Sequence, residues 1–138
     1  MEEEIVFYGH PEITAMHEMT IEVTKAGSLT PRGDCIIGVN ANKACNDLPD
    51  ALKRRLRDEN SIVRMSILVD DKKWDFVAYG STSLILTNKH DIVIRKSRFV
   101  CPRTLAIRCD KASNNLPKDI VWMLKDPARK GVLLISVE

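Results

Sequence analysis

The chain has 138 residues, 44% of them hydrophobic, and a net charge of +2 from 21 basic and 19 acidic residues. A single domain of this length hides roughly two-thirds of its unfolded surface, enough for a sizeable core. No apolar run reaches the ~18 residues of a membrane span, and the acidic start Met1-Glu2-Glu3-Glu4 lacks the positive segment of a secretory signal, so disordered, membrane and secreted classes are set aside and a cytoplasmic location is expected.

The elements follow in order. Residues 5–8 predict a strand ending in Tyr8-Gly9. From Ile13 to Val23 the odd positions read Ile, Ala, His, Met, Ile, Val and the even ones Thr, Met, Glu, Thr, Glu. That is the period-2 pattern of a half-buried strand. Residues 35–39 predict a third strand. Leu48, Leu52 and Leu56 recur at helical spacing, with Pro49 in the first turn, where a missing N–H costs little. Residues 62–69 predict a closing strand. The series then returns. Residues 74–79 end in Tyr79-Gly80, and 84–94 form a strand broken at Asn88-Lys89-His90. Residues 104–109 form the next strand, Leu116, Ile120 and Leu124 line a helix behind Pro117, and 132–137 close the chain.

This return is an internal repeat. Residues 43–58 and 111–126, offset by 68, share Lys, Ala, Asn, Leu, Pro, Leu and Asp at seven of sixteen positions, where chance gives about one. Upstream the offset is 71 and matches Tyr8-Gly9 with Tyr79-Gly80, Lys25 with Lys96 and Pro31-Arg32 with Pro102-Arg103. The first half carries three extra residues within 33–36. The expected fold is therefore one strand-rich α+β domain over 1–138. Two β-β-β-α-β repeats, 1–70 and 71–138, are expected to form a pseudo-two-fold, β-barrel-like body. Each β-α-β portion is expected to be a right-handed crossover between parallel strands, and barrel closure would remove exposed sheet edges. The run from Pro31 to Val39 is similar to the Gly-Asp turn of cradle-loop and double-psi barrels, where the Asp caps a tight turn.

The stretches Gly9–His17, Leu29–Gly38, Val93–Ser97 and Arg103–Ile107, with Asp110-Lys111-Ala112, resemble an archaeal domain-of-unknown-function family (number 371). That family usually has Asn at the position of Glu12 and Thr at that of Met16. The resemblance implies an uncharacterised archaeal, cytoplasmic protein, and brings with it no activity, cofactor or catalytic residue.

Charge is unevenly spread. Residues 1–22 hold six Glu and no Lys or Arg, whereas 89–111 hold seven Lys or Arg against Asp91 and Asp110. The basic strip, with Arg32 and Arg103 at matched positions, points to an anionic ligand: a nucleotide, a phosphorylated metabolite or an RNA backbone. It would be held near Arg32, Arg95, Lys96 and Arg103, since paired arginines suit bidentate oxyanion binding. Salt bridging of these arginines to Glu18, Glu22 or Asp34 is the competing expectation. Lys53, Arg54, Arg55 and Arg57 form a basic helix end, either a solvated face or a phosphate contact. Aromatic residues make up only 5% and none cluster on a strand, so stacking platforms for bases are not evident.

An enzyme is the alternative function. His10 and His17 align with Ser81 and Asn88, so the scaffold does not itself demand histidine there. With Asp34 or Cys35 they could form a metal-assisted site. Their competing roles are a hydrogen-bonded core histidine and an Asp turn cap. Cys35, Cys45, Cys101 and Cys109 form no C-x-x-C pair and read as small buried thiols. No nucleotide-loop, metalloprotease or serine-hydrolase motif is present. Monomer and dimer are both compatible with a chain that carries two units.

Overall fold

Alternating apolar residues make the long strands. In β4 (Ile62–Val69) Val63, Met65, Ile67 and Val69 are buried, and in β8 (Lys130–Val137) Leu133, Ile135 and Val137 are. The computed structural model describes residues 1–29 and 32–138. With β1 (Glu2–Tyr8) and β5 (Lys72–Tyr79), these strands form a four-stranded antiparallel sheet in the order β1-β8-β4-β5. Its register sets Met65 opposite Ile135 and Ile67 opposite both Leu133 and Trp74, so one face is continuously apolar. Asp70-Asp71 turns β4 into β5, with Asp70 at φ 51°, the left-handed region that short polar residues tolerate.

The second sheet has the order β3-β2-β6-β7. β2 (Thr20–Thr24) and β6 (Asp91–Arg95) pair antiparallel at its centre, and β3 (Ile36–Gly38) and β7 (Thr104–Ala106) flank them in parallel. Two short helices, α1 (Asp50–Leu56) and α2 (Lys118–Met123), each follow a single 3₁₀ turn, Cys45–Asp47 and Ser113–Asn115. Ile5, Phe7, Ile21, Val23, Leu52, Leu56, Ile92, Ile94, Ile120 and Leu124 belong to one buried cluster that draws on both sheets and both helices. The expected strand-rich α+β class holds.

Closure does not. Among the described residues the strands form two separate sheets and no closed barrel. Beyond β3 and β7 the single bridges Tyr8 to Val39 and Tyr79 to Ile107 reach across to the larger sheet. β3 and β4 also lie in different sheets, so α1 does not cross between parallel neighbours; the parallel pairs β2/β3 and β6/β7 are joined without a helix. The long second strand expected from residue 13 begins only at Thr20, and its counterpart from 84 begins at Asp91. Ala15 and Leu86 sit at φ 51° and 57°, which breaks an extended run, although Ile13, Ala15, Leu84 and Leu86 still bury their side chains. Thr30 and Pro31, part of the Leu29–Gly38 motif and of the Pro31-Arg32 match, lie outside the described residues.

The edges of the larger sheet are occupied by side chains. At β1, the Val6 N–H donates to Asn42 Oδ1 and the Asn42 N–H returns to Val6 O, both at 3.0 Å. At β5, Val77 and Asp110 make the same pair of bonds at 2.9 Å. Gly9 and Gly80 follow these strands and dock on the helix ends. A Cβ on either would lie 2.3 Å from the carbonyl oxygen of Leu124 or Leu56, so only glycine fits.

Candidate functional site

The smaller sheet buries polar groups on the face away from Ile21, Val23, Ile92 and Ile94. Period-2 alternation puts Thr20, Glu22 and Thr24 of β2 and Asp91 and Arg95 of β6 on that face. The two 3₁₀ turns bond to its margins: Ser113 Oγ donates to the carbonyls of Thr20 (2.6 Å) and Cys35 (2.8 Å), and Cys45 Sγ to that of Arg103 (3.3 Å). Glu22 is left 6% exposed. Burial pushes its carboxyl from 4.5 up to about 7; the neighbouring Asp91 adds to this, and Arg103 and Arg95 oppose it. The Arg103 guanidinium bridges both acids, 3.2 Å from Glu22 Oε1 and 3.4 Å from Asp91 Oδ2. Arg95 Nε donates to Thr104 Oγ1 (2.9 Å) and its NH2 to Cys101 Sγ (3.4 Å), and its guanidinium lies 4.9 Å over the Phe99 ring.

Arg95 and Arg103 are thus brought to one neighbourhood, but both are engaged by the protein itself. The expected salt bridge of an arginine to Glu22 is present. Arg32 is exposed and Lys96 half-buried. Of the basic helix end, Arg57 binds the carbonyls of Leu84 and Ile85 and Lys53 that of Asn46, while Arg54 and Arg55 are exposed.

The histidines serve the backbone. His17 Nδ1 accepts the N–H groups of Met19 (3.1 Å) and Thr20 (3.2 Å) and lies 3.0 Å from the Thr20 hydroxyl; His10 Nδ1 accepts the Glu12 N–H at 3.0 Å. Their aligned residues do the same work: Asn88 Oδ1 accepts from His90 and Asp91, and Ser81 Oγ from Ser83. The departure from the repeat is therefore an exchange of one turn-capping acceptor for another. Asp34 contributes its main-chain carbonyl, which accepts from Met16 and His17. Among the described residues no group of three His, Cys, Asp or Glu side chains is placed to hold a metal ion, which does not favour the alternative of a metal site at His10, His17 and Asp34 or Cys35.

All four cysteines are free thiols; Cys45 and Cys109 are buried, and Cys35 and Cys101 half-buried. Burial pushes Cys45 up to about 12 and Cys35 and Cys109 to about 11. Cys101 goes the other way. Burial opposes its ionisation, but the Arg103 N–H, the Thr104 hydroxyl and the Arg95 guanidinium outweigh that and lower its pKa.

A cleft of about 440 Å³ lies elsewhere, between α2 and residues 14–16. Lys118, Val121 and Trp122 of α2 line it, with Lys125 from the turn that follows the helix. Thr14, Ala15 and Met16, and Asn114 and Leu116 ahead of α2, complete the lining. Trp122 is 76% exposed and Met16 67%. Lys125 Nζ donates to the Ile13 carbonyl at 2.6 Å, which fixes one cation at the rim. No carboxylate lines the cleft. Sequence reasoning missed it because it looked for clustered aromatics. The available signal was Trp122 itself, which stands at the solvent face of a helix where the repeat has Arg54.

The model of the family described as Domain of unknown function (DUF371) matches residues 5–138. The chain belongs to this family. DUF371 is also the family that the motifs of residues 9–17, 29–38 and 93–97 resembled. An uncharacterised protein of Methanocaldococcus jannaschii is 40% identical over 118 residues, 86% of this chain and 87% of that relative. In this DUF371 chain, among the described residues, no helix is long and apolar enough to cross a membrane.

Proposed function

We propose that this DUF371 chain is a binding module for an anionic small molecule, held in the cleft between α2 and residues 14–16. The observation that carries the reading is the lining: two lysines and no carboxylate beside Ala15, Met16, Leu116, Val121 and Trp122, in a volume of about 440 Å³. Ligand sites of roughly 300–1,000 Å³ with an apolar body and a few placed polar groups are the usual kind. Arg32, Arg95, Lys96 and Arg103 are a second place for such an anion, supported by the basic strip and weakened by Glu22 and Asp91, which already neutralise Arg103.

Thermal shift against phosphate, pyrophosphate, phosphorylated sugars, nucleotides and an RNA oligonucleotide tests the reading. Stabilisation by at least one, lost in Lys118→Ala and kept in Arg95→Ala, is expected. Loss in Arg95→Ala instead would move the anion to the arginines, and stabilisation by none would overturn the binding function.

We also infer that the chain is one domain built from two copies of a β-β-β-α-β unit related by a pseudo-two-fold axis. Paired hydrogen bonds support this: Lys25 N–H to His90 O and Lys96 N–H to Met19 O, and His10 N–H to Leu124 O and Ser81 N–H to Leu56 O. So do the matched left-handed residues Ala15 and Leu86, and Asn40 and Arg108. An experimental structure whose matched backbones failed to superpose would overturn it.

A further inference from the structure

We propose that the occupant of the cleft is a nucleotide unit, its base stacked against Trp122 and its phosphate held by Lys118 and Lys125. This rests on the anion-binding reading above and adds the demand for a flat aromatic ring.

Trp122 and Met16 supply the ring contact. Both line the cleft, one from α2 and one from the loop of residues 14–16, and both are largely exposed. An indole and a thioether lining one cleft present polarisable, weakly hydrated surfaces, which favour a planar π-system. A sugar phosphate would place several hydroxyls there and find no carboxylate to accept from them. A base edge needs less, and the Asn114 amide in the lining offers one donor and one acceptor.

The cations are set for the rest of the ligand. Lys118 precedes Trp122 by one helical turn, Lys125 follows in the turn after α2, and all three line the same cleft. Lys125 is tied to the Ile13 carbonyl and keeps two further N–H groups to donate. A ring on Trp122 therefore shares the cleft with two cations for its phosphate.

The repeat gives independent support. The residues aligned with Lys118, Val121, Trp122 and Lys125 are Asp50, Lys53, Arg54 and Arg57. Arg57 binds the Leu84 and Ile85 carbonyls much as Lys125 binds that of Ile13, so the tether belongs to the scaffold. At the matched positions the other half has an acid, Asp50, in place of the Lys118 cation and no indole in place of Trp122. Lys118 and Trp122 are thus the side chains that distinguish one half from the other here.

The chain has two tryptophans, and Trp74 is buried against Phe76. Emission at the red edge therefore reports Trp122. Titration with AMP and UMP is expected to quench it saturably, while pyrophosphate and ribose 5-phosphate bind more weakly and without quenching. Trp122→Ala, at an exposed position, should keep the wild-type melting curve and lose roughly tenfold or more in AMP affinity by calorimetry, with Trp122→Phe restoring most of it. Pyrophosphate affinity should be unchanged by either. A single-stranded oligonucleotide against the free nucleotides identifies the source of the unit, and binding of either with Trp122 quenching supports the proposal. If pyrophosphate binds as tightly as AMP and Trp122→Ala binds AMP like wild type, the ring proposal is overturned while anion binding stands. If no anion binds at all, both fall.

Discussion

Glu22→Gln removes an ionisable group that the fold holds in unfavourable surroundings. Burial, with Asp91 beside it, raises the carboxyl from 4.5 to about 7 despite Arg103 and Arg95. The folded chain therefore binds this proton more tightly than the unfolded chain does. The stability this contributes is fully present below pH about 4.5 and is lost as pH rises through about 7. At ~1.36 kcal/mol per pH unit, the gap between 4.5 and about 7 amounts to roughly 3 kcal/mol. Glutamine keeps the shape, lets its carbonyl accept from Arg103, and does not titrate. Urea unfolding of both proteins at pH 4.5 and pH 8 isolates the effect, because every other titrating group is shared. Wild type should lose about 3 kcal/mol more than Glu22→Gln between the two pH values. Parallel stability curves would refute the reasoning. A wild type that gains on Glu22→Gln as pH rises would mean that the Arg103 pair outweighs desolvation.

Leu124→Ala, at a fully buried position in the shared core, should cost about 2–5 kcal/mol in the same unfolding assay, and a surface-like cost would contradict the packing. Gly80→Ala sets a methyl group 2.3 Å from the Leu56 carbonyl oxygen and should lower stability by more than about 2 kcal/mol; an unchanged melting temperature would show that the two segments do not dock so closely. Iodoacetamide at neutral pH should modify Cys101 before Cys35, Cys45 or Cys109, read by peptide mass spectrometry, since it alone combines partial exposure with a lowered pKa. Residues 1–70 alone should lack a cooperative melt in circular dichroism, because the strand neighbours of β1 and β2 in their sheets include β8 and β6 of the other half.

What the sequence revealed was periodic. Met65, Ile67 and Val69 at spacing two, and Leu52 and Leu56 at helical spacing, lead to buried faces of β4 and α1. The alternation from Ile13 to Val23 holds for burial only at Ile13, Ala15, Ile21 and Val23, since Met19 is exposed while Thr20 and Glu22 are buried, and Ile13 and Ala15 are buried from a loop whose shape Ala15's left-handed backbone and the His17 ring maintain. Period alone does not separate a strand from a loop that turns its apolar side chains inward. The burial of Glu22 is not legible locally, because nothing in residues 20–24 announces that the turns at Cys45 and Ser113, far along the chain, bond to the margins of that sheet. The histidines break the sequence match between the two halves, yet such a break reports only a change of side chain. Asn88 and Ser81 at the matched positions show that the role, an acceptor for a following N–H, stayed the same. Trp122 was the more informative break, because there the chemistry changes with no backbone need to explain it.

The pairs Val6–Asn42 and Val77–Asp110 have a consequence for solubility. An open four-stranded sheet presents a free N–H and C=O ladder at each outer strand, the template on which chains stack into aggregates. Asn42 and Asp110 each supply a side-chain acceptor and a main-chain donor, so at mid-strand the outer rows of β1 and β5 already have the partner that a second molecule would offer. Lys43, bound to Glu3 and the Glu4 carbonyl, blocks the next stretch of β1 with a charge that an incoming strand would have to dehydrate. A fold that leaves its sheets unclosed thus protects itself from fibrous association with a few polar residues at its rims. Those residues bury almost no apolar surface, so their loss should register in aggregation at high concentration well before it registers in the unfolding free energy.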